Sequence, residues 1–175
     1  MTALQTLLAT FRNAAVTERE KGTYFEELCI KYLTREATYR DLYSQVWTYA
    51  DWVKAYPDLG FNARDTGIDL VAKTHGTDEF HAIQCKFYAE GHRVVKADID
   101  SFFTASGKKT FARRVIITTT SNWSDNAEVA LYDQHPPVTR IDLNDLENSQ
   151  IDWSQYNPHN QQPNQPRPDQ PEVVL

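Results

Sequence analysis

Two short apolar runs, residues 68–72 and 80–87, flank a polar turn that contains Gly76, Thr77 and Asp78. Runs of that length, bounded by turn residues, predict a β-hairpin. The hairpin constrains the rest of the chain because each run carries polar groups where a core strand would be apolar. Asp69 stands in the first run, Gln84 and Lys86 in the second. Side chains two apart on a strand share a face, so Gln84 and Lys86 project together, and pairing can bring Asp69 beside them. An acid, a neutral oxygen donor and an ammonium then converge. That set suits a hard divalent cation bound through oxygen, such as magnesium. Asp69 is the charged ligand, the Gln84 side-chain carbonyl a neutral one, and the backbone carbonyl of Cys85 a third. A cation there polarises a phosphate and lowers the pKa of a bound water, while Lys86 orients the water or stabilises developing charge. Plainer roles fit the same residues: Asp69 as a turn cap, and Lys86 as a solvated lysine guarding a sheet edge.

A second carboxylate comes from an amphipathic helix expected over residues 17–34, with Phe25, Leu28, Cys29, Tyr32 and Leu33 as its apolar stripe. The helical wheel separates the adjacent glutamates. Glu26 falls beside Cys29, Ile30 and Leu33, at the edge of the buried face, where a carboxylate needs a partner such as a metal, its water or Lys86. Glu27 falls on the opposite side, four residues before Lys31, in an expected exposed pair. An earlier amphipathic helix over residues 1–16 carries Leu4, Leu7, Leu8, Phe11 and Ala15.

Charge limits the partners. The chain is at −6 overall, which argues against gripping nucleic acid by bulk charge alone. Residues 86–114 hold seven basic side chains against three acidic ones, a local +4 that leaves −10 for the rest of a chain at −6. A basic stretch beside an acidic metal site suits a phosphate backbone, and Lys96, Lys108, Lys109 and Arg113 are its expected DNA contacts. Taken alone, the same charges read better as a solvated helix and loop.

The remaining pattern is that of an α/β protein. Residues 39–64 are rich in Tyr and Trp, read here as core filling or a seat for a neighbouring domain rather than as base-stacking platforms. Asp65 precedes the first run as a turn former or a support for the site. Residues 96–106 predict a helix, 115–120 a central β-branched strand, and Ser124-Asp125 the cap of a further helix. A last strand over 138–143 and a short helix at 144–146 follow. Helices alternate with strands, so a sandwich with a mixed central sheet is expected. Cys29 and Cys85 lie in apolar runs and read as reduced core residues, which fits a cytoplasmic protein. No apolar run approaches the length of a membrane span. From residue 154 the composition changes. Residues 157–171 hold five of the eight prolines among Asn and Gln, so 154–175 reads as a linker following a domain of residues 1–153 and leading to a downstream domain.

The two runs, Gly67-Ile68-Asp69-Leu70-Val71-Ala72 and Ala82-Ile83-Gln84-Cys85-Lys86, resemble the core of the PD-(D/E)xK nucleases. They are more narrowly similar to the Mrr-like branch, in which Gln replaces the second acid. The similarity runs from about residue 22 to 126 and includes Gly22-Thr23-Tyr24-Phe25-Glu26 and Lys96-Ala97-Asp98-Ile99-Asp100-Ser101-Phe102. Within the branch it is greatest with the N-terminal nuclease of single-chain, translocating Type ISP restriction-modification enzymes. The resemblance implies a restriction-endonuclease-like α/β sandwich with a mixed central β-sheet flanked by helices. It also implies a DNA endonuclease that uses Mg2+, with Mn2+ able to substitute, and that nicks strands of double-stranded DNA. Asp69, Gln84, Lys86 and Glu26 are the catalytic set it implies, with metal at Asp69, Gln84 and the Cys85 carbonyl. A helicase-like motor, a methyltransferase and a target-recognition module are its expected partners in the same full-length chain. Two rival readings are a stand-alone Type IV-like nuclease against modified DNA and a catalytically inactive DNA-binding or docking domain.

Overall fold

The expected hairpin forms, and the sheet extends from it on both sides. A computed structural model describes residues 1–14, 17–64 and 67–156. Strands β2 (Leu70–Thr74) and β3 (Phe80–Lys86) pair antiparallel, with Leu70 opposite Ile83 and Lys73 opposite Phe80. β1 (Tyr43–Thr48) adds antiparallel to β2, while β4 (Phe111–Thr118) and β5 (Val138–Ile141) add parallel beyond β3. The order is β1-β2-β3-β4-β5, a mixed five-stranded sheet. Seven helices accompany it among the described residues: α1 (Ala3–Ala14), α2 (Glu18–Arg35), α3 (Ala37–Leu42), α4 (Tyr49–Ala55), α5 (Lys96–Ser106), α6 (Asp125–Tyr132) and α7 (Leu143–Glu147). This is the helix-flanked α/β sandwich that the sequence implies.

Strand alternation divides the core into two layers. Leu70, Ala72, Ile83, Val115 and Ile117 face α1, α2 and α7, and meet Phe11, Phe25, Leu28 and Leu33. Val71, Ala82 and Ile116 face α4, α5 and α6, and meet Trp52, Ile99, Phe102 and Ala127. The tyrosines and tryptophans of residues 39–64 do fill a core. Trp52 is fully buried, with Phe61, Phe80 and Phe111 at ring separations of 5.0, 5.4 and 5.6 Å.

Local signals set the helix ends. Thr17 caps α2 by accepting from the Glu20 N–H at 3.1 Å, and Ser124 caps α6 through the Ala127 N–H at 3.1 Å. β1 has no counterpart among the sequence expectations. Its register slips between Tyr43 and Gln45, and such a bulge breaks the two-residue alternation by which a strand is read. At the far end the packed chain continues past residue 153. Trp153 and Tyr156 are buried against α1, with Tyr156 at 6.4 Å from Phe11. Residues 157–175, the bulk of the expected linker, lie outside the described residues, as do Ala15 and Asp65. Among the described residues no helix is long and apolar enough to cross a membrane.

Candidate active site

β3 and β4 run parallel and end together, with Lys86 paired to Thr118. Because β2 runs the other way, its leading residue Asp69 reaches the same end. The ladder continues through it: the Asp69 N–H donates to Ile83 O at 2.9 Å, and Asp69 O accepts from the Tyr49 N–H at 2.9 Å. Its carboxylate turns back on β3, where Oδ2 accepts from the Cys85 N–H at 2.8 Å. Asp69 is therefore held at both backbone and side chain, at the end of the sheet where α/β folds commonly place ligands.

Gln84 lies on the same face of β3 as Ala82 and is 3% exposed. Its Nε2 faces the Gly67 carbonyl at 3.5 Å, and its buried Oε1 has no hydrogen-bond donor among the described residues. A buried acceptor without a donor is costly, by about 1–3 kcal/mol. Lys86 shares that face and acts electrostatically on both Asp69 and Asp98. Cys85 points to the other layer, where its thiol meets that of Cys29, and both cysteines are free, as the sequence implies.

Glu26 arrives from α2. Burial, then the nearby Asp69 carboxylate, then Glu27 push its carboxyl up to about 7. Burial likewise pushes Asp69 up, against the Cys85 N–H and Lys86, which favour its charged form. Two carboxylates from opposite layers thus stand within electrostatic reach in a partly desolvated place. A cation at this point would reverse the sign of both penalties, and the orphaned Gln84 Oε1 would gain a partner. The donors are all oxygen, which suits magnesium better than zinc. No cluster of three or more His, Cys, Asp or Glu side chains that could hold a metal occurs among the described residues. The set fits only when the Gln84 amide and a backbone carbonyl are counted.

One expectation is corrected here. Glu27 is half-buried rather than exposed, and burial raises its carboxyl too. Lys31, its expected partner, lies over the Tyr156 ring at 5.1 Å. Tyr156 thus approaches α2 at Lys31, from the segment that packs on α1.

Glu26 gives a stability prediction. Its folded carboxyl sits at about 7 against an ordinary 4.5. Between those values the folded chain holds a proton that the unfolded chain has released. The native state therefore loses stability as pH rises from 4.5 through about 7. In the metal-free chain, Glu26→Gln should raise stability at pH 8 by roughly 1–2 kcal/mol, allowing for partial exposure. The gain should vanish near pH 4.5. Thermal melts with chelator at both pH values test this, and an equal effect at both would refute it.

The basic residues divide. Lys96 opens α5 near the site and pairs with Asp100 at 3.5 Å. Lys108 and Lys109 precede β4, and Arg113 lies opposite His81, so all three sit at the start of the parallel strands and away from Lys86. Lys108 covers the Phe61 ring at 4.9 Å. Arg114 is 1% exposed and belongs to the interior. Near the site stand cations that the sequence reading did not single out. Arg12 donates to Tyr88 O at 3.1 Å and lies 5.0 Å from the Phe87 ring centroid, and Lys21 lies 5.8 Å from the same centroid. Neither adjoins the hairpin in sequence, and only the packing of α1 and α2 brings them there.

Residues 34–163 match the Mrr_cat_2 restriction endonuclease family. Glu26 lies before the matched residues. Among solved structures, the ATP-dependent Type ISP restriction-modification enzyme LlaBIII bound to DNA matches at 32% identity and a TM-score of 0.69. The match covers 96% of this chain and 10% of that one, so the chain spans about a tenth of its relative's length. The MspJI restriction endonuclease in complex with a 27-mer oligonucleotide matches at 12% identity and a TM-score of 0.37, over 75% of this chain and 31% of that one. No curated protein matches the chain.

Proposed function

Because the chain belongs to the Mrr_cat_2 restriction endonuclease family, we propose that it is a Mg2+-dependent nuclease domain that nicks double-stranded DNA within a Type ISP restriction-modification enzyme. The observation that carries this reading is the meeting of Asp69 with Glu26 and Lys86 beside the unpartnered Gln84 Oε1. Asp69, Gln84 Oε1 and the Cys85 carbonyl would hold the cation. When bound, it supplies a Lewis acid for the phosphate and an acidified water. The chain's own residues do the rest. Asp69, anchored by the Cys85 N–H, presents its carboxylate to the cation in a half-buried place. Lys86 offers an ammonium to the charge that develops on the phosphate oxygens. Glu26, easily protonated at neutral pH, can take or return a proton at the edge of the site.

The acidity of the chain, and its match to about a tenth of the Type ISP relative's length, support a domain served by others in cis, namely a helicase-like motor, a methyltransferase and a target-recognition module. Few cations line the site, so its own grip on DNA is weak and sensitive to salt. Tethering supplies effective concentrations in the millimolar range, on the order of what short linkers give.

The test is supercoiled plasmid incubated with the chain at near-physiological salt, with magnesium or with EDTA. Slow nicking without sequence preference, lost in EDTA and restored by manganese, is expected. Efficient double-strand breaks at one defined sequence would favour a stand-alone restriction enzyme, and no cutting at all would favour a DNA-binding or docking domain.

A further inference from the structure

The loop that leaves the site, residues 87–94, is tied down along its length. Thr119 Oγ1 accepts from the Tyr88 N–H at 2.8 Å and donates to Tyr88 O at 3.1 Å. Thr120 Oγ1 donates to His92 O at 2.8 Å, and Asn122 Nδ2 donates to Gly91 O at 3.2 Å. Hydrogen bonds from residues 119–122 hold this loop along one side, and the side chain it fixes most closely is His92. The imidazole stacks on the Tyr88 ring, with centroids 4.2 Å apart and planes 18° apart, and its Nε2 lies 3.1 Å from Asp98 Oδ2. Asp98 also accepts from the Val95 N–H at 2.9 Å and feels Lys86. These partners outweigh its burial and hold its carboxyl below the usual range. An ionised carboxylate only accepts, so Nε2 presents its proton to Asp98, and a ring that carries a second proton presents it from Nδ1, which has no partner among the described residues. The side chain remains 35% exposed. Beside it the Tyr88 hydroxyl is buried without a hydrogen-bond partner among the described residues.

A histidine that merely fills space needs none of this. Its ring is fixed on one face and at one nitrogen, its other nitrogen is free, and it shares a carboxylate with Lys86. We propose that His92 binds the DNA backbone next to the cut with its ring carrying both protons, Nε2–H on Asp98 and Nδ1–H donating to a non-bridging phosphate oxygen, while Asp98 and Tyr88 hold the ring for that contact. The proposal rests on the nuclease reading for the presence of DNA at this end of the sheet.

The experiment measures binding separately from cutting. Affinity of the full chain for a short duplex, with calcium in place of magnesium, is determined across a salt series for wild type, His92→Ala and His92→Arg. Nicking by the same proteins is followed in magnesium as a function of DNA concentration. His92→Ala should weaken binding about tenfold, as expected for one charge-assisted hydrogen bond. The slope of log affinity against log salt should become shallower by about 0.9. KM should rise by a like factor while kcat stays within about twofold, because only ground-state binding is lost. His92→Arg, which can stack on Tyr88, pair with Asp98 and donate to phosphate, should restore both affinity and slope. Restoration by arginine also excludes a folding defect as the cause of the alanine effect. Unchanged affinity and slope in His92→Ala would overturn the proposal, and so would a fall in kcat at constant affinity. A wild-type chain that binds the duplex but never nicks it would sink the nuclease reading alone, since the His92 test reads binding.

Discussion

Asp69→Asn is expected to lower nicking by about 10³-fold or more while leaving the chain folded, a rise in barrier of roughly 4 kcal/mol. Asparagine keeps an oxygen to accept the Cys85 N–H, now at 2.8 Å, so the local backbone has no reason to move. What disappears is the charge. Burial already pushes the Asp69 carboxyl up, which means that the metal-free fold gains nothing from its ionisation. The variant should therefore melt no lower than wild type in chelator at neutral pH. In magnesium the two should part. A cation that binds only the native state raises wild-type stability by RT ln(1 + [L]/Kd), and this increment should be missing from Asp69→Asn. A folded variant that nicks at the wild-type rate, or one that keeps the full magnesium-dependent rise in Tm, would remove Asp69 from the site.

Arg114→Met is expected to destabilise the fold on the order of 3–5 kcal/mol, equivalent to a fall in Tm of about 10 °C for a chain of this size. The guanidinium is a buried joint. Nε and Nη2 donate to Pro136 O at 3.2 and 2.8 Å, Nη1 to Phe103 O at 3.1 Å and Ser106 Oγ at 3.3 Å, and Nη2 to Gln134 Oε1 at 3.0 Å. It thereby ties the end of α5 to the segment between α6 and β5, from the middle of the sheet. Methionine fills much of the volume but leaves the part-buried carbonyls of Phe103 and Pro136 without those donors. Arg114→Lys should recover less than half of the loss, because an ammonium cannot reproduce a planar fork that serves several acceptors at once. Nicking per folded molecule should be unchanged at low temperature. A melting temperature unaffected by Arg114→Met would show that the joint contributes nothing. In the sequence this residue is one of the seven basic side chains of residues 86–114, outside the four expected DNA contacts. Its burial at 1% exposure lowers the mobile charge of that stretch.

Much of the site was legible because it is local. Asp69, Gln84 and Lys86 lie on one hairpin, whose pairing and alternation follow from spacing alone. The phase of α2 placed Glu26 toward the core for the same reason, since helical periodicity needs no knowledge of the partner. The placement of Glu27 failed because its surroundings are not on the helix. Other parts of the fold half-bury it, and nothing within residues 17–34 announces them. β1 stayed hidden because a bulge at Ser44 broke the two-residue rhythm.

The sequence by itself determined the hairpin, the apolar stripes of the first two helices and the identity of the polar residues that the hairpin brings together. Each depends on separations of a few residues, where backbone geometry fixes direction. The tertiary structure decided which cations stand near that site. Lys108, Lys109 and Arg113 follow the hairpin in sequence yet begin β4 at its opposite end, because a parallel strand must return to the start of the sheet before pairing. Arg12 and Lys21, far away in sequence, come to Phe87 because α1 and α2 pack across the end of β3. Likewise, His92 meets Asp98 across the turn into α5. Charge along a chain is additive and can be counted, but its place on a surface is set by how strands and helices return, which only the folded chain specifies.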